Sequence, residues 1–302
     1  MFRLNASPAP LPPWIVLDAS LQSWLLEDIG RGDRTTSGLF PTDSVPSTAR
    51  WMMKESGVIA GLPIAARVFH LLNSSINLIP QVPEGQWCNQ GQVIAEVKGN
   101  LDALLMGERV ALNLAMRLSG IATLTRQYVD QIADLPVQLV DTRKTTPGLR
   151  LLEKYATQVG GARNHRMGLD DAVMIKDNHI AAAGGIPEAI ARIRASIPYP
   201  LTIEVETETL AEVETALQQG ADLIMLDNMP LDLMRSAVQL IRQHSGRIKI
   251  EASGNITLET IRKVAETGVD YISTSAPITR STWLDLSMKI DKHSSITEKV
   301  RN

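Results

Sequence analysis

The chain has 302 residues, with 30 Lys and Arg against 33 Asp and Glu and a formal net charge of −3. That length gives one large or two moderate domains with ample core, and the slight acidity excludes a general nucleic-acid binder, which would present a strongly basic face. A single cysteine, Cys88, excludes an intrachain disulfide and a multi-cysteine metal site, and fits a reducing compartment.

Met1 to Pro13 form a proline-rich leader without the apolar core of a signal peptide. No apolar run reaches bilayer length, so a cytoplasmic protein without a membrane partner is expected. Apolar spacing predicts a helix over 18–28, with a glycine- and threonine-rich segment over 27–36 after it. Short strands are predicted at 49–54, 58–60, 76–82 and 93–97, with a helix at 63–72 among them. Glu84-Gly85 and Asn89-Gln-Gly91 are the turn signals of a hairpin-rich sandwich. The hairpin is similar to a biotinyl or lipoyl carrier module, but no lysine stands at its tip, and Cys88 within it reads as an incidental thiol. Residues 101–118 repeat apolar positions at helical spacing and carry Glu108 and Arg109.

Beyond Val137 the pattern becomes regular. Apolar runs stand at 137–140, 172–175, 201–205, 223–226, 248–250 and 271–272. Most alternate with amphipathic helical stretches at 187–196, 209–219, 231–243 and 258–267. Pro187 and Thr257 read as helix starts, and Gly220, Gly246 and Gly268 as stops. Repeated β-α units imply a parallel sheet, and six of them close most economically as an α/β barrel.

The polar residues at the end of each run carry the chemistry. The runs end in Asp141/Arg143/Lys144, Lys176/Asp177/Asn178, Glu204/Glu206, Asp227/Asn228, Glu251/Ser253 and Ser273/Ser275. Catalytic groups of α/β barrels collect at the C-terminal ends of the strands. Arg143, Lys144, His165, Arg166 and Lys176, with Arg109 upstream, exceed what one monoanion needs; a dicarboxylate, a pyrophosphate or both match better. Glu204 and Glu206 share one strand face, and Asp227 sits one strand over. Carboxylates there can hold sugar hydroxyls, coordinate Mg²⁺ through oxygen or stabilise a developing cation. They lack the His and Cys companions of a zinc site. Ser253-Gly254-Asn255 and Ser273-Thr-Ser-Ala276 are small-residue loops of the kind that form phosphate sites after the last strands of a barrel. A second reading, a barrel aldolase with Lys176 as Schiff-base nucleophile, is opposed by the crowd of other cations and by the lack of an obvious proton relay.

The ordered motifs Asp141-Thr-Arg-Lys-Thr-Thr-Pro-Gly-Leu-Arg150, Glu153-Lys-Tyr-Ala156, Asn164-His-Arg-Met-Gly-Leu169 and Ile175-Lys-Asp-Asn-His-Ile180 run through the middle of the chain. Leu226-Asp-Asn-Met229, Glu251-Ala-Ser-Gly-Asn-Ile256 and Gly268-Val-Asp-Tyr-Ile-Ser273 come after them. Together with residues 27–36 and Glu108-Arg-Val-Ala-Leu-Asn113, they make the chain resemble the quinolinate phosphoribosyltransferase family, of the type II phosphoribosyltransferases. Only the leader and about the last ten residues fall outside the likeness.

The resemblance implies an N-terminal α/β sandwich domain over 1–118 and a C-terminal incomplete, six-stranded α/β barrel over 119–282. The end, 283–302, is expected to pack back on the first domain. It implies a homodimer, or a hexamer of dimers, in which Arg109 serves the neighbouring site. The implied reaction joins quinolinate to phosphoribosyl pyrophosphate and gives nicotinate mononucleotide, pyrophosphate and CO2. By motif match Arg109, Arg143, His165, Arg166 and Lys176 hold quinolinate, while Lys144, Glu206 and Asp227 are catalytic and hold the ribose and pyrophosphate. Glu206 and Asp227 act with Mg²⁺, directly or through water, and Ser253, Gly254 and Ser275 cradle the 5′-phosphate. Three departures stand out: Ala162 and Ser275 replace commoner glycines, and Pro277-Ile-Thr-Arg-Ser281 replaces a Leu-Thr with His or Lys after it. A paralogous group linked to molybdate uptake keeps parts of this barrel, and the full cation set from Arg109 to Lys176 separates the chain from it.

Overall fold

The computed structural model describes residues 9–39 and 45–291; most of the leader, residues 40–44 and residues 292–302 lie outside them. In chain order the elements begin with α1 (Trp14–Ile29), α2 (Arg34–Leu39), β1 (Pro46–Met53), β2 (Gly57–Val58) and α3 (Leu62–Leu72). Then come β3 (Asn77–Pro80), β4 (Trp87–Cys88), β5 (Val93–Asn100), α4 (Leu101–Asp130), β6 (Gln138–Val140) and α5 (Arg150–Gly160). Next are β7 (Val173–Ile175), α6 (Asp177–Ala183), α7 (Ile186–Ser196), β8 (Ile203–Thr207), α8 (Leu210–Gln218) and β9 (Leu223–Asp227). The rest are α9 (Leu231–His244), β10 (Lys249–Ser253), α10 (Ile261–Ala265), β11 (Tyr271–Ser273), α11 (Ala276–Thr279) and β12 (Leu286–Ile290). Two compact units result: one of Met1–Thr123, Leu151–Gly160 and Ser281–Asn302, the other of Leu124–Arg150 and Gly161–Arg280.

In the first unit, β1 alternates buried and more exposed positions, the period of a half-buried strand. It pairs antiparallel with β5 and β12, giving the sheet order β12-β1-β5-β3. Trp51 on β1 meets Phe69 on α3 edge to face, with centroids 6.2 Å apart. Glu84 accepts from the N–H groups of Gly61 and Leu62, donors that the first turn of α3 would otherwise leave unpaired. Tyr155 on α5 donates to the same carboxylate at 2.8 Å, and Arg117 on α4 reaches the buried Glu153 at 2.7 Å. These two contacts hold α5 to the first unit.

Helical spacing ends the predicted helix at Leu118, whereas α4 continues to Asp130. Ser119 and Gly120, in the continuation, are contact points. Ser119 Oγ accepts the Ala60 N–H at 2.9 Å, and a Cβ at Gly120 would collide with the Thr282 carbonyl. Two helices have no strong sequence signal and are present: α2 at Arg34 and α6 immediately after Lys176.

The second unit is an α/β body around a six-stranded parallel sheet, order β6-β11-β10-β9-β8-β7. This is the expected incomplete barrel: β6 and β7 stand at opposite ends of the sheet order among the described residues. Side-chain alternation then sorts the residues. Ile203, Val205, Ile224, Leu226, Ile250, Ala252 and Ile272 belong to a buried apolar core that also takes in residues of α7, α8 and α9. The intervening positions, Glu204 and Glu206 on β8 and Glu251 on β10, fall on the other face by the period of two. Two strands sit later than their apolar runs suggest, β8 ending at Thr207 and β10 at Ser253. Glu206 lies on its strand as expected, and Glu251 and Ser253 are strand residues and not loop residues. α8 starts on the reciprocal Thr209–Glu212 capping box.

Candidate active site

The strand ends of the second unit surround a cavity of about 600 Å³. Arg143, Lys144, His165, Arg166, Lys176, Glu206, Asp227, Ser253, Gly254 and Ser275 all line it. Arg109 is elsewhere: it lies on α4 in the first unit, with a side chain 59% exposed and Glu108 at 3.9 Å.

Each lining residue is placed by something local. Asp141, buried just past β6, accepts the His165 N–H at 2.8 Å and Asn164 Nδ2 at 2.6 Å. It thereby fixes the irregular segment that carries His165 and Arg166. Arg166 is anchored by its own guanidinium, which donates to the Ala172 carbonyl at 2.9 Å. Burial first and the Arg143 charge second hold the Arg166 guanidinium below its ordinary value. Arg143 Nε is buried without a hydrogen-bond partner among the described residues. Two like charges with an unused buried donor make a wall that favours an anion.

Lys176 stands just after β7, 44% exposed, and its ammonium pairs with the Glu206 carboxylate, 10% exposed, from β8. Asp227 ends β9, and its Oδ2 accepts from Asn228 Nδ2 at 2.8 Å. Asn255 Nδ2 in turn donates to Asn228 Oδ1 at 3.1 Å. Asn228 and Asn255 have φ of 52° and 51°, and Gly254 between β10 and Asn255 has φ of 94°. Asparagine tolerates the left-handed region better than most residues. This turn brings the backbone of the phosphate-loop candidate Ser253-Gly254 against the strand that carries Asp227, with the Asn228 N–H donating to the Ser253 carbonyl at 3.0 Å.

Glu204 and Glu251 form an association that local sequence spacing does not reveal. His165 Nε2 lies 3.1 Å from Glu204 Oε2 and 3.5 Å from Glu251 Oε2. The Arg166 N–H donates to His165 Nδ1 at 2.7 Å. Both ring nitrogens therefore face protein groups, whereas the motif match assigns the ring to a quinolinate carboxylate. Burial works against charge on the ring, but the hydrogen bonds to Glu204 and Glu251 outweigh it and push His165 up to about 10. Burial likewise raises Glu204. Nδ1 offers a lone pair to the Arg166 amide, which leaves Nε2 as the ring nitrogen that presents a proton to Glu204 and Glu251. Asn228, Asn255, Thr274 and Arg280 also line the cavity; the sequence marks Asn228 as a strand-end residue, Asn255 and Thr274 within the small-residue loops, and Arg280 only within the departing segment Pro277-Ile-Thr-Arg-Ser281.

Residues 33–119 match the N-terminal domain of quinolinate phosphoribosyl transferase, and residues 121–289 match its C-terminal domain. A probable nicotinate-nucleotide pyrophosphorylase [carboxylating] of Synechocystis sp. is 60% identical over 290 residues, which cover 95% of this chain and 98% of the relative. A probable enzyme of the same name from Bacillus subtilis is 46% identical, covering 89% and 92%. Among solved structures, NadC from Streptococcus pyogenes superposes with a TM-score of 0.89 at 41% identity, covering 93% of this chain and 99% of that one. The nicotinate-nucleotide pyrophosphorylase of Francisella tularensis gives 0.88 at 36% identity, covering 95% and all of that chain. Two domain matches that between them span nearly the whole chain, and relatives of this identity and coverage, agree with the mouth geometry: the chain belongs to the quinolinate phosphoribosyltransferase family.

Proposed function

We propose that the barrel mouth carries out the reaction of this family. The chain is a decarboxylating pentosyltransferase that joins quinolinate to phosphoribosyl pyrophosphate, giving nicotinate mononucleotide, pyrophosphate and CO2 for NAD biosynthesis. The observation that carries the assignment of roles is the cationic wall: half-buried Arg143 and Arg166, the first with a buried guanidinium nitrogen that has no hydrogen-bond partner among the described residues, and Lys176 on the same cavity. A dicarboxylate fits this wall better than a monoanion does. Arg143, Arg166 and Lys176 hold the two carboxylates, and Arg109 of the partner subunit adds a fourth cation.

Lys144, Glu206 and Asp227 face the ribose and the pyrophosphate, and Ser253, Gly254 and Ser275 receive the 5′-phosphate. Pyrophosphate leaves C1 with its bonding pair, and the oxocarbenium-like centre is stabilised electrostatically by Glu206 and Asp227. The pyridine nitrogen attacks with its own lone pair, so no general base is needed. The quaternised ring then withdraws electrons as CO2 departs from C2, whose retained pair takes up a proton. Positioning supplies the larger part of the acceleration.

Glu206 and Asp227 suit Mg²⁺ as hard oxygen donors. Lys176 already pairs with Glu206 and Asn228 with Asp227, which favours an ion held mainly by substrate phosphates with the carboxylates acting through water. When bound, Mg²⁺ neutralises charge on the leaving pyrophosphate. Purified protein with quinolinate, phosphoribosyl pyrophosphate and Mg²⁺ is expected to release nicotinate mononucleotide and CO2. Product from nicotinate in place of quinolinate would overturn the assignment.

A homodimer with shared sites, or a hexamer of such dimers, completes the reading. The exposed apolar side chains of α1, Ile15 at 90% above all, support a covered surface there. Arg109→Ala and Lys176→Ala proteins are each expected to be inactive, and co-refolding equal amounts should restore about a quarter of wild-type activity, one intact site per mixed dimer. No recovery would argue against shared sites. No helix among the described residues is long and apolar enough to cross a membrane, and the cytoplasm is the proposed location.

A further inference from the structure

We infer that His165, Glu204 and Glu251 form a positioning unit for Arg166, in which the imidazole acts on the Arg166 main chain and does not itself touch quinolinate. The inference rests on the assignment of the mouth given above. Glu204 comes from β8 and Glu251 from β10, with β9 between them in the sheet. In an α/β barrel, side chains of alternate strands meet in one interior layer, and here they meet around a histidine. Both carboxylates are almost wholly buried, their side chains 6% and 3% exposed, and His165 Nε2 stands within 3.1 and 3.5 Å of them. The ring is thus held from one side by two groups that accept the same N–H.

Its other nitrogen is also occupied. The segment 164–166 belongs to no helix or strand, so its N–H groups need acceptors from elsewhere. Asp141 Oδ1 takes the His165 N–H at 2.8 Å, and His165 Nδ1 takes the Arg166 N–H at 2.7 Å. With Arg166 Nη1 on the Ala172 carbonyl, both the root and the tip of that side chain are pinned. The pinning has a purpose. Arg143 repels Arg166 in a partly buried setting, and an arginine free at its root would swing away into solvent. The carboxylate pair fixes the ring, the ring fixes the Arg166 amide, and the guanidinium stays aimed at the substrate carboxylate.

Substitutions at His165 separate this role from direct contact. His165→Ala is expected to raise the KM for quinolinate about tenfold, the loss that accompanies one hydrogen bond to a charged group, with the KM for phosphoribosyl pyrophosphate unchanged. His165→Asn, whose Oδ1 occupies the place of Nδ1, should recover most of that loss, and His165→Gln, which offers a donor at the place of Nε2, should not. Rescue by Gln and not by Asn would overturn the inference, as would equal damage to both KM values. Wild-type protein labelled with ¹⁵N-histidine gives a test that needs no variant. Saturation with quinolinate should leave the His165 Nδ1 signal that of an unprotonated acceptor and its Nε2 that of an N–H; a shift of either nitrogen on binding would mean direct contact. Wild-type protein that turns over no quinolinate at all would instead refute the functional assignment of the mouth.

Discussion

Lys176→Ala is expected to lower kcat/KM for quinolinate by about a hundredfold to a thousandfold, the range observed when one preorganised charge donor is removed from a site. Two losses combine. One of the cations that meet the dicarboxylate disappears, and Glu206, 10% exposed and paired to the Lys176 ammonium, is left with an uncompensated charge beside an incoming dianion. Because Glu206 also serves the ribose side, kcat should fall together with kcat/KM. The melting temperature should move little, since Lys176 is nearly half exposed and makes no core contact that the substitution would empty. Steady-state kinetics with each substrate varied in turn checks this; a variant within threefold of wild type would refute the role given to Lys176.

Gly254→Ala should be as damaging for a different reason. Gly254 has φ of 94°, where an L side chain is strained, and an added Cβ would run into the Asn228 side chain. Asn228 would have to turn, which releases its hold on Asp227 Oδ2 and its contact with Asn255. The expected result is a rise of about tenfold or more in the KM for phosphoribosyl pyrophosphate, a lower kcat, and a stability loss on the order of 1–3 kcal/mol. Gly246→Ala serves as the control, for nothing lies within 4 Å of its added Cβ. If both variants kept wild-type kinetics, the Gly254 turn would have no part in binding the phosphoribosyl group.

The barrel strands were legible because parallel strands buried on both sides read as continuous apolar runs, such as Leu223-Ile-Met-Leu226. The mouth was legible for a related reason: one polar residue directly after such a run marks a strand end, as Asp227 does. The His165, Glu204 and Glu251 association was not legible. It requires that β9 separate β8 from β10 and that a segment more than thirty positions upstream of Glu204 fold over both, and sheet order is not written in local spacing. The continuation of α4 past Leu118 to Asp130 was not legible either, since Ser119 and Gly120 are held by tertiary contacts at Ala60 and Thr282. Nor did any signal separate Leu151–Gly160 from its sequence neighbours. Its attachment to the first unit rests on Arg117 and Glu84, remote partners of Glu153 and Tyr155.

The pairing of β12 with β1 bears on how the protein is made. Arg50 meets Asp291 across that strand pair, 241 positions later in the chain. At about 5–20 residues per second, a ribosome needs on the order of 10–50 seconds to supply the missing strand. For that interval the nascent chain carries β1 with one hydrogen-bonding edge unfilled, a template on which another chain can add. Synthesis from the N-terminus therefore cannot complete the first sheet early, and the yield of active protein should depend on chaperone capacity more than a contiguous domain of the same size would require.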